Sequence, residues 1–521
     1  MAWSHDFLAY IEGDRRAEVW LVEVYQSGSE PGADGYTMSS CAGYGDEVRI
    51  AGPPRISGGR VTPVAWSSTI GACSIPLVGP LTTAMQHLAR GTVCRVLLAH
   101  IEPGIAPVWE VIFWGQVWSI TGGGVSYALE LRDPLQAIDG RMARDVPALF
   151  QGLPNTYLTA DPGAGGVTLN VGSTGGWTWD QLGEGIGLVK IDSEYITFTG
   201  LTATTFTGCT RGALGTPAAA HPTPVYDIGP PLVQGATVSC IPYLKGHPLD
   251  IVRRVLLSHP DAGNSEWDDY PVNWGLGIRQ TLVDIDDIGD WKRDIVKVAS
   301  GTYQWGVVSE TIQESPGSWL TGMLSRAGLF LTTRHGLLTC RAATSPLITI
   351  GDPPLLGLTI TDTDIVAGWA AITTEAWASE YSVEYLLVSA TTEASSSTTA
   401  ASGDGSFAAT LPAARLIDYD VSDLVRSNEA EVQTEMLNRL ALMAQRIPEA
   451  ITFTSAGMRL AQLTPGDVVY FSSARAGIRW TYTDGTVGRR CWVAQVSPDW
   501  SRNTVQVRLL AYPATSDVFE S

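Results

Sequence analysis

Apolar and polar residues alternate with period two along much of this chain, the spacing of strands that bury one face. Val125, Tyr127, Leu129 and Leu131 alternate with Ser126, Ala128, Glu130 and Arg132, and Gly122-Gly123-Gly124 supplies a turn just before them. Val93 to Leu98 predicts a strand, and Val64 to Val78 predicts a strand pair centred on Trp66-Ser67-Ser68-Thr69-Ile70-Gly71. Val108 to Ile120 predicts an apolar hairpin with a bulge or bend at Gly115. Further on, Tyr381, Val383, Tyr385 and Leu387 alternate again, before a Ser/Thr/Ala/Gly tract from Ala390 to Thr410. With Phe407 its one large apolar residue, that tract predicts a flexible loop or tip.

Helical spacing appears in three places. Pro248 in a first turn opens an amphipathic run to Leu257, and Trp319 to Leu324 predicts a second short helix. A hairpin follows, with Leu329 to Thr333 and Leu337 to Cys340 joined through His335-Gly336. The third is the strongest. Asn428 and Glu431 are spaced as a reciprocal cap, and Val432, Met436, Leu440, Met443 and Ile447 share one face up to Pro448. After it come a short strand from Ile451 to Thr454, the string Leu463-Thr464-Pro465-Gly466-Asp467-Val468-Val469, and a long hairpin rich in Trp and Val.

The most specific string lies between about 150 and 236, where Asp192-Ser193-Glu194-Tyr195-Ile196 precedes Thr210-Arg211-Gly212-Ala213-Leu214-Gly215-Thr216, with His221 closing. Arg211 can pair with Glu194 across a hairpin, while Gly212 and Gly215 allow left-handed turns. The string predicts either a docking surface or a self-contained fold whose polar residues pin its own turns.

Composition narrows the function. At 521 residues the chain predicts about three or four domains. Its 55 Gly and 30 Pro fit short strands and turns, and its 18 Trp fit subunit interfaces or carbohydrate surfaces. A net charge of −20 argues against a basic face that grips nucleic acid. No apolar run is long enough to span a membrane and no signal segment opens the chain, so a soluble protein without a membrane span is expected.

Seven scattered cysteines without a Cys-x-x-Cys clamp predict buried reduced thiols rather than zinc or disulfides. Asp284-x-Asp286-Asp287-x-Gly289-Asp290 resembles the opening of a calcium loop, but Ile295 stands where a bidentate Glu belongs, so a solvated acidic loop is expected. His335 and His247 read as turn and cap residues. Gly183-x-Gly185-x-Gly187 leads into a strand and so presents no helix N-terminus to phosphate. Neither Gly-x-Ser-x-Gly nor His-Glu-x-x-His occurs, and the chain predicts no catalytic residue, no metal and no cofactor.

Several of these strings together resemble the tail hub (baseplate hub) proteins of long-tailed bacteriophages and phage-derived particles. A helix leading to Pro465-Gly466-Asp467 and two β-branched residues resembles the last barrel of that family. Phe113-Trp114-Gly115-Gln116-Val117, a Gly turn and a strand ending in Arg132-Asp133 resemble its first barrel. The helix at Pro248-x-Asp250, with the later helix and x-Gly hairpin, resembles its second domain, and Thr210 to Thr216 resembles a hairpin module of tail and baseplate proteins. Of possible motif residues, the family supplies only Gly466 and Asp467, which start the last barrel.

The resemblance implies a mainly β, multidomain fold with some α+β: two small β-barrels, an α/β domain and an inserted β domain. It divides the chain into an N-terminal barrel (1–148), the insertion (149–237), the α/β domain (238–346), a β segment with a loop at 390–410 (347–426), and a helix with the C-terminal barrel (427–521). It further implies a homotrimeric ring at the virion tail tip, whose barrels adapt a sixfold tube to a threefold tip. The partners implied are the distal tail protein ring, the tape-measure protein and fibre or tip proteins. DNA would pass through an enclosed channel without specific binding, with acidic charge keeping it from sticking, and the insertion would dock a fibre or a host glycan. Competing readings are a distal tail ring, a receptor- or carbohydrate-binding tail protein, and a cell-wall hydrolase.

Overall fold

The computed structural model describes residues 18–25, 35–62, 67–80, 84–101, 106–138, 153–177, 187–221, 235–257, 275–278, 280–290, 305–308, 316–325, 329–334, 336–342, 358–366, 371–374, 380–388, 393–401, 416–419, 424–426, 449–473 and 488–511. Strands dominate, with short helices beside them. The predicted helix from 428 to 447 lies outside the described residues.

The largest sheet has fourteen strands and draws on both ends of the chain. From the N-terminal part come Glu18–Val24, Val93–His100, Trp109–Gly123, Ser126–Arg132, Ala72–Val78 and Arg55–Ser57, hydrogen-bonded in that order. The last of these pairs with Arg489–Asp499, through Arg55 opposite Asp499, and the C-terminal strands Thr504–Ala511 and Glu449–Ala456 follow. The path through the described strands is open. Closure into two separate barrels is not among the described pairings. One apolar core runs under both halves, from Val22, Ile75 and Leu129 to Phe453, Val493 and Val507. Trp20 and Trp500 meet edge-on within it, their ring centroids 5.3 Å apart.

Three strand expectations are corrected. Residues 109–123 form one long strand, not a hairpin, because its two ends pair with different neighbours and no turn interrupts it. The bulges fall at Ile112 and Trp118, which the pairing skips, whereas Gly115 is small because a Cβ there would lie 2.6 Å from the Arg132 carbonyl oxygen. The region 64–78 is not a strand pair either. Ser67–Ser68 pairs with Val61–Thr62, while Ala72–Val78 pairs with Ser126–Arg132 and Arg55–Ser57; residues 64–66 lie outside the described residues. Within the tract read as a loop, Glu393–Ala401 forms a nine-residue strand antiparallel to Glu380–Val388. It ends its sheet among the described strands. A strand with one neighbour can be held by backbone hydrogen bonds on that side, so Ser and Thr suffice there.

The insertion has its own core, built from Leu158, Val189, Ile196, Phe198, Phe206 and Val238. The α/β part buries Leu249, Ile251, Val252 and Val255 of helix Pro248–Leu257. His247 caps that helix: its carbonyl accepts from the amides of Asp250 and Ile251, and its Nδ1 from Leu249. Six of the seven cysteines are buried and free; Cys41 is exposed, against expectation, because it lies in a surface turn rather than a strand.

A hairpin, Leu329–Arg334 with Leu337–Ala342, sits where these parts meet. Its turn carries Gly336 at φ +80°, and a Cβ there would overlap the backbone nitrogen of Trp114 in the long strand. His335 lies outside the described residues. Gly336→Ala is expected to destabilise the protein by about 2–4 kcal/mol, from left-handed strain plus overpacking. Urea unfolding checks this; a loss under about 0.5 kcal/mol, the scatter of ordinary surface changes, would contradict the close approach.

Candidate functional site

Three buried polar constellations stand out. The first lies in the insertion, where strands Gly187–Ile191 and Glu194–Phe198 are joined by a two-residue turn with Asp192 at φ +53°. That turn brings Glu194, only 1% exposed, against the neighbouring strand Thr210–Ala213. Arg211 donates to its carboxylate from Nε (2.8 Å) and Nη2 (2.6 Å), and the amides of Gly212 (2.8 Å) and Ala219 (3.1 Å) donate as well. His221 places Nε2 2.8 Å from Glu194 and Nδ1 2.8 Å from Asp192. Arg211 also reaches the carbonyls of Gly163 and Ala219. Burial pushes the Glu194 carboxyl up, but Arg211, His221 and the two amides outweigh it and hold it at about 2. Gly212 is left-handed at φ +63°, and Gly215, at φ +77°, follows Leu214 at φ +52° in the next turn.

The second constellation centres on Arg341, 1% exposed, in a strand of the central hairpin. Its Nε and Nη2 donate to Asp287 at 3.0 and 3.1 Å, and its Nη1 donates to Asp467 at 2.8 Å and to the Pro465 carbonyl at 3.2 Å. Asp287 also accepts from Arg334 (2.8 Å) and Thr339 (2.7 Å). Burial works against its charge, yet Arg341, with Arg334 and Thr339, keeps Asp287 below the usual carboxylate range. Asp467 accepts from the Thr464 amide at 2.7 Å, which closes the Pro-Gly-Asp turn. Gly466 is left-handed at φ +101°, and a Cβ would sit 3.0 Å from Arg341 Cδ. The turn therefore presses onto the guanidinium stem.

The acidic string at 284–290 is thus not a solvated loop. It forms helix Ile285–Asp290, with Asp284 accepting from the Asp287 amide at 3.1 Å, and it turns Asp287 inward to the arginines. Asp284 and Asp287 have the i, i+3 spacing of a helix cap.

The third constellation is Asp133, fully buried where the strand Ser126–Arg132 ends. It accepts from the amides of Gly71 (2.6 Å) and Leu135 (3.1 Å) and from Thr333 of the central hairpin (3.3 Å). Burial raises its carboxyl to about 7 despite these donors and nearby Arg132. Since the folded value lies above the ordinary 3.8, the native state binds the extra proton; stability from this group is complete below about 3.8 and lost as pH rises through about 7. Asp133→Asn is expected to flatten the pH dependence of amide exchange around Gly71 and Thr333 over that window. An unchanged slope would contradict it.

The structure thus brings Glu194, Arg211 and Gly212 together, sets Gly215 in the adjoining turn, and joins Gly466 to Asp467 in a separate constellation. Sequence reading missed Asp287, Arg334, Thr339, Arg341 and Asp133 as partners. A charged residue amid an apolar strand, as at Arg341, was the available signal. These groups are committed to one another rather than aimed into a cleft. Among the described residues no group of His, Cys, Asp and Glu is arranged to hold a metal, and no helix is long and apolar enough to cross a membrane.

No family model matches the chain, and no curated protein matches it. Several solved structures are similar to it at low identity. One is the prophage tail protein gp18 from Listeria monocytogenes EGD-e, at 8% identity and TM-score 0.34, covering 95% of this chain and 94% of that one. A second is the lidded PdpA–VgrG complex of Francisella, at 10% identity and TM-score 0.36, covering 98% of this chain but 55% of that one. A third is the E. coli c3393 protein, a type VI secretion component described as similar to T4 tail proteins gp27 and gp5, at 9% identity and TM-score 0.29, covering 91% of this chain and 78% of that one.

Proposed function

We propose that the chain is a structural tail hub subunit, which assembles as a homotrimeric ring at the distal tip of a phage or phage-like tail. The observation that carries this reading is the union of the chain's ends: strands before residue 140 and after 445 share one sheet and one apolar core, and the Arg341 junction ties the hairpin between them to the C-terminal turn. Such a body is suited to carrying load, and its buried charges are committed to one another among the described residues. The sequence strings that resemble tail hubs point the same way.

In this reading the N- and C-terminal β units act as the two barrels of each subunit, so that three chains match a sixfold tube. The ring encloses the DNA channel, receives the distal tail ring and tape-measure protein above, and anchors fibre or tip proteins below. Residues 149–237 form the inserted domain that docks a fibre, and 238–346 the α/β domain. Gold-labelled antibody against the chain is expected at the distal end of purified tails. Labelling along the tube or on the head would overturn the proposal.

A further inference from the structure

The insertion's polar string is consumed internally, whereas the N-terminal strands carry uncommitted polar groups. On the outward face of the N-terminal sheet lies an open cleft of about 540 Å³, within the range of small-ligand sites, ~300–1,000 Å³. Arg55, Ser74, Pro76, Thr121, Ser126 and Ser501 line it. The pairing explains why they converge. Arg55 lies opposite Ser74, and Pro76 and Thr121 both lie opposite Ala128, so their side chains share one face. Ser501 rises from the turn after Arg489–Asp499, the strand that joins the C-terminal half to this sheet.

The Arg55 side chain is exposed, and its guanidinium makes no hydrogen bond or ion pair with any described residue. This is unusual here, since Arg95, Arg132, Arg211, Arg341 and Arg459 are each paired with a carboxylate. The carboxylates on the same face are already engaged, Glu130 by Arg132 (2.8 Å) and Ser119 (3.2 Å), and Asp499, opposite Arg55, by Ser501 (2.6 Å) and Arg502 (3.6 Å). The hydroxyls of Ser74, Thr121 and Ser126 are likewise unbonded to described residues. The cleft thus offers one free guanidinium and several free hydroxyls, set beside Pro53, Pro76, Tyr127 and Ala128.

We infer that this cleft binds an acidic saccharide, whose carboxylate or phosphate pairs with Arg55 while its hydroxyls exchange hydrogen bonds with Ser74, Thr121 and Ser126. A guanidinium fork suits an oxyanion, and hydroxyls set beside it suit a polyol better than a lipid. The site would give the tail tip a contact of its own with a charged cell surface, apart from any attached fibre.

The test is a glycan array probed with the full-length protein, followed by titration with uronic-acid oligosaccharides, phosphorylated polyol oligomers and neutral oligosaccharides of matched length. Binding of either acidic class but not the neutral one, reduced about tenfold or more in Arg55→Ala, supports the inference and tells carboxylate from phosphate as the source. Arg55 is exposed and unpaired, so the variant should keep the wild-type melting profile. No acidic binding, equal binding of neutral sugars, or an unchanged Arg55→Ala would overturn it. None of those results bears on the ring, because the cleft belongs to the single chain.

Discussion

Replacing Arg341 with Ala is expected to cost about 3–5 kcal/mol, because the change strands two buried carboxylates, Asp287 and Asp467, rather than merely deleting a contact. Arg334 remains beside Asp287, but among the described residues no other side chain supplies the 2.8 Å bond to Asp467 or the donor to the Pro465 carbonyl. The loss should be local first. The turn at 464–467 and the strand Val468–Ser472 that it feeds should lose amide protection before the insertion does. In a multidomain chain a single midpoint is poorly defined, so residue-level hydrogen exchange is the better readout. Adding Asp287→Asn and Asp467→Asn should recover part of the loss by removing the stranded charges. Uniform protection across the C-terminal strands in Arg341→Ala would show that the junction is not what holds that turn.

A comparable effect, about 3–5 kcal/mol, is expected for Arg211→Ala in the insertion. Glu194 would keep its amide donors and His221 but lose the bidentate guanidinium at 2.6–2.8 Å. The pH dependence carries the sign. A carboxyl held at about 2 against an ordinary 4.5 gives stability that is complete above about 4.5 and is lost as pH falls toward 2. In Arg211→Ala that acid-side loss should be smaller and end at higher pH, since less holds Glu194 ionised. Glu194→Gln should remove this component of the acid dependence altogether. Proteolysis of the region 187–221 between pH 2 and 5 distinguishes the variants, and identical acid profiles in wild type and Glu194→Gln would contradict the assignment.

What could be read from sequence follows from how local each cause is. Helix Pro248–Leu257 was legible because a first-turn proline and one apolar face suffice to specify it. Glu194 and Arg211 were legible as a pair because the strands that carry them are close in sequence and pair within one short module, with two short strands of another sheet between them. The Arg341 junction was not, since its partners lie 54 and 126 residues away and periodicity carries no information about which buried charges meet. The shared sheet failed for the same reason: Arg55 and Asp499 each sit in an ordinary strand, and only the tertiary fold pairs them. The strand Glu393–Ala401 failed for a different one, because a composition suited to solvent says nothing about whether a neighbour offers its backbone.

The ring is tested most directly by the mass of the purified full-length protein, measured by light scattering over a range of concentrations. The account predicts a threefold multiple of 55.7 kDa that holds on dilution. A hexamer would favour a distal tail ring instead, and a monomer at every concentration would contradict the self-assembling hub.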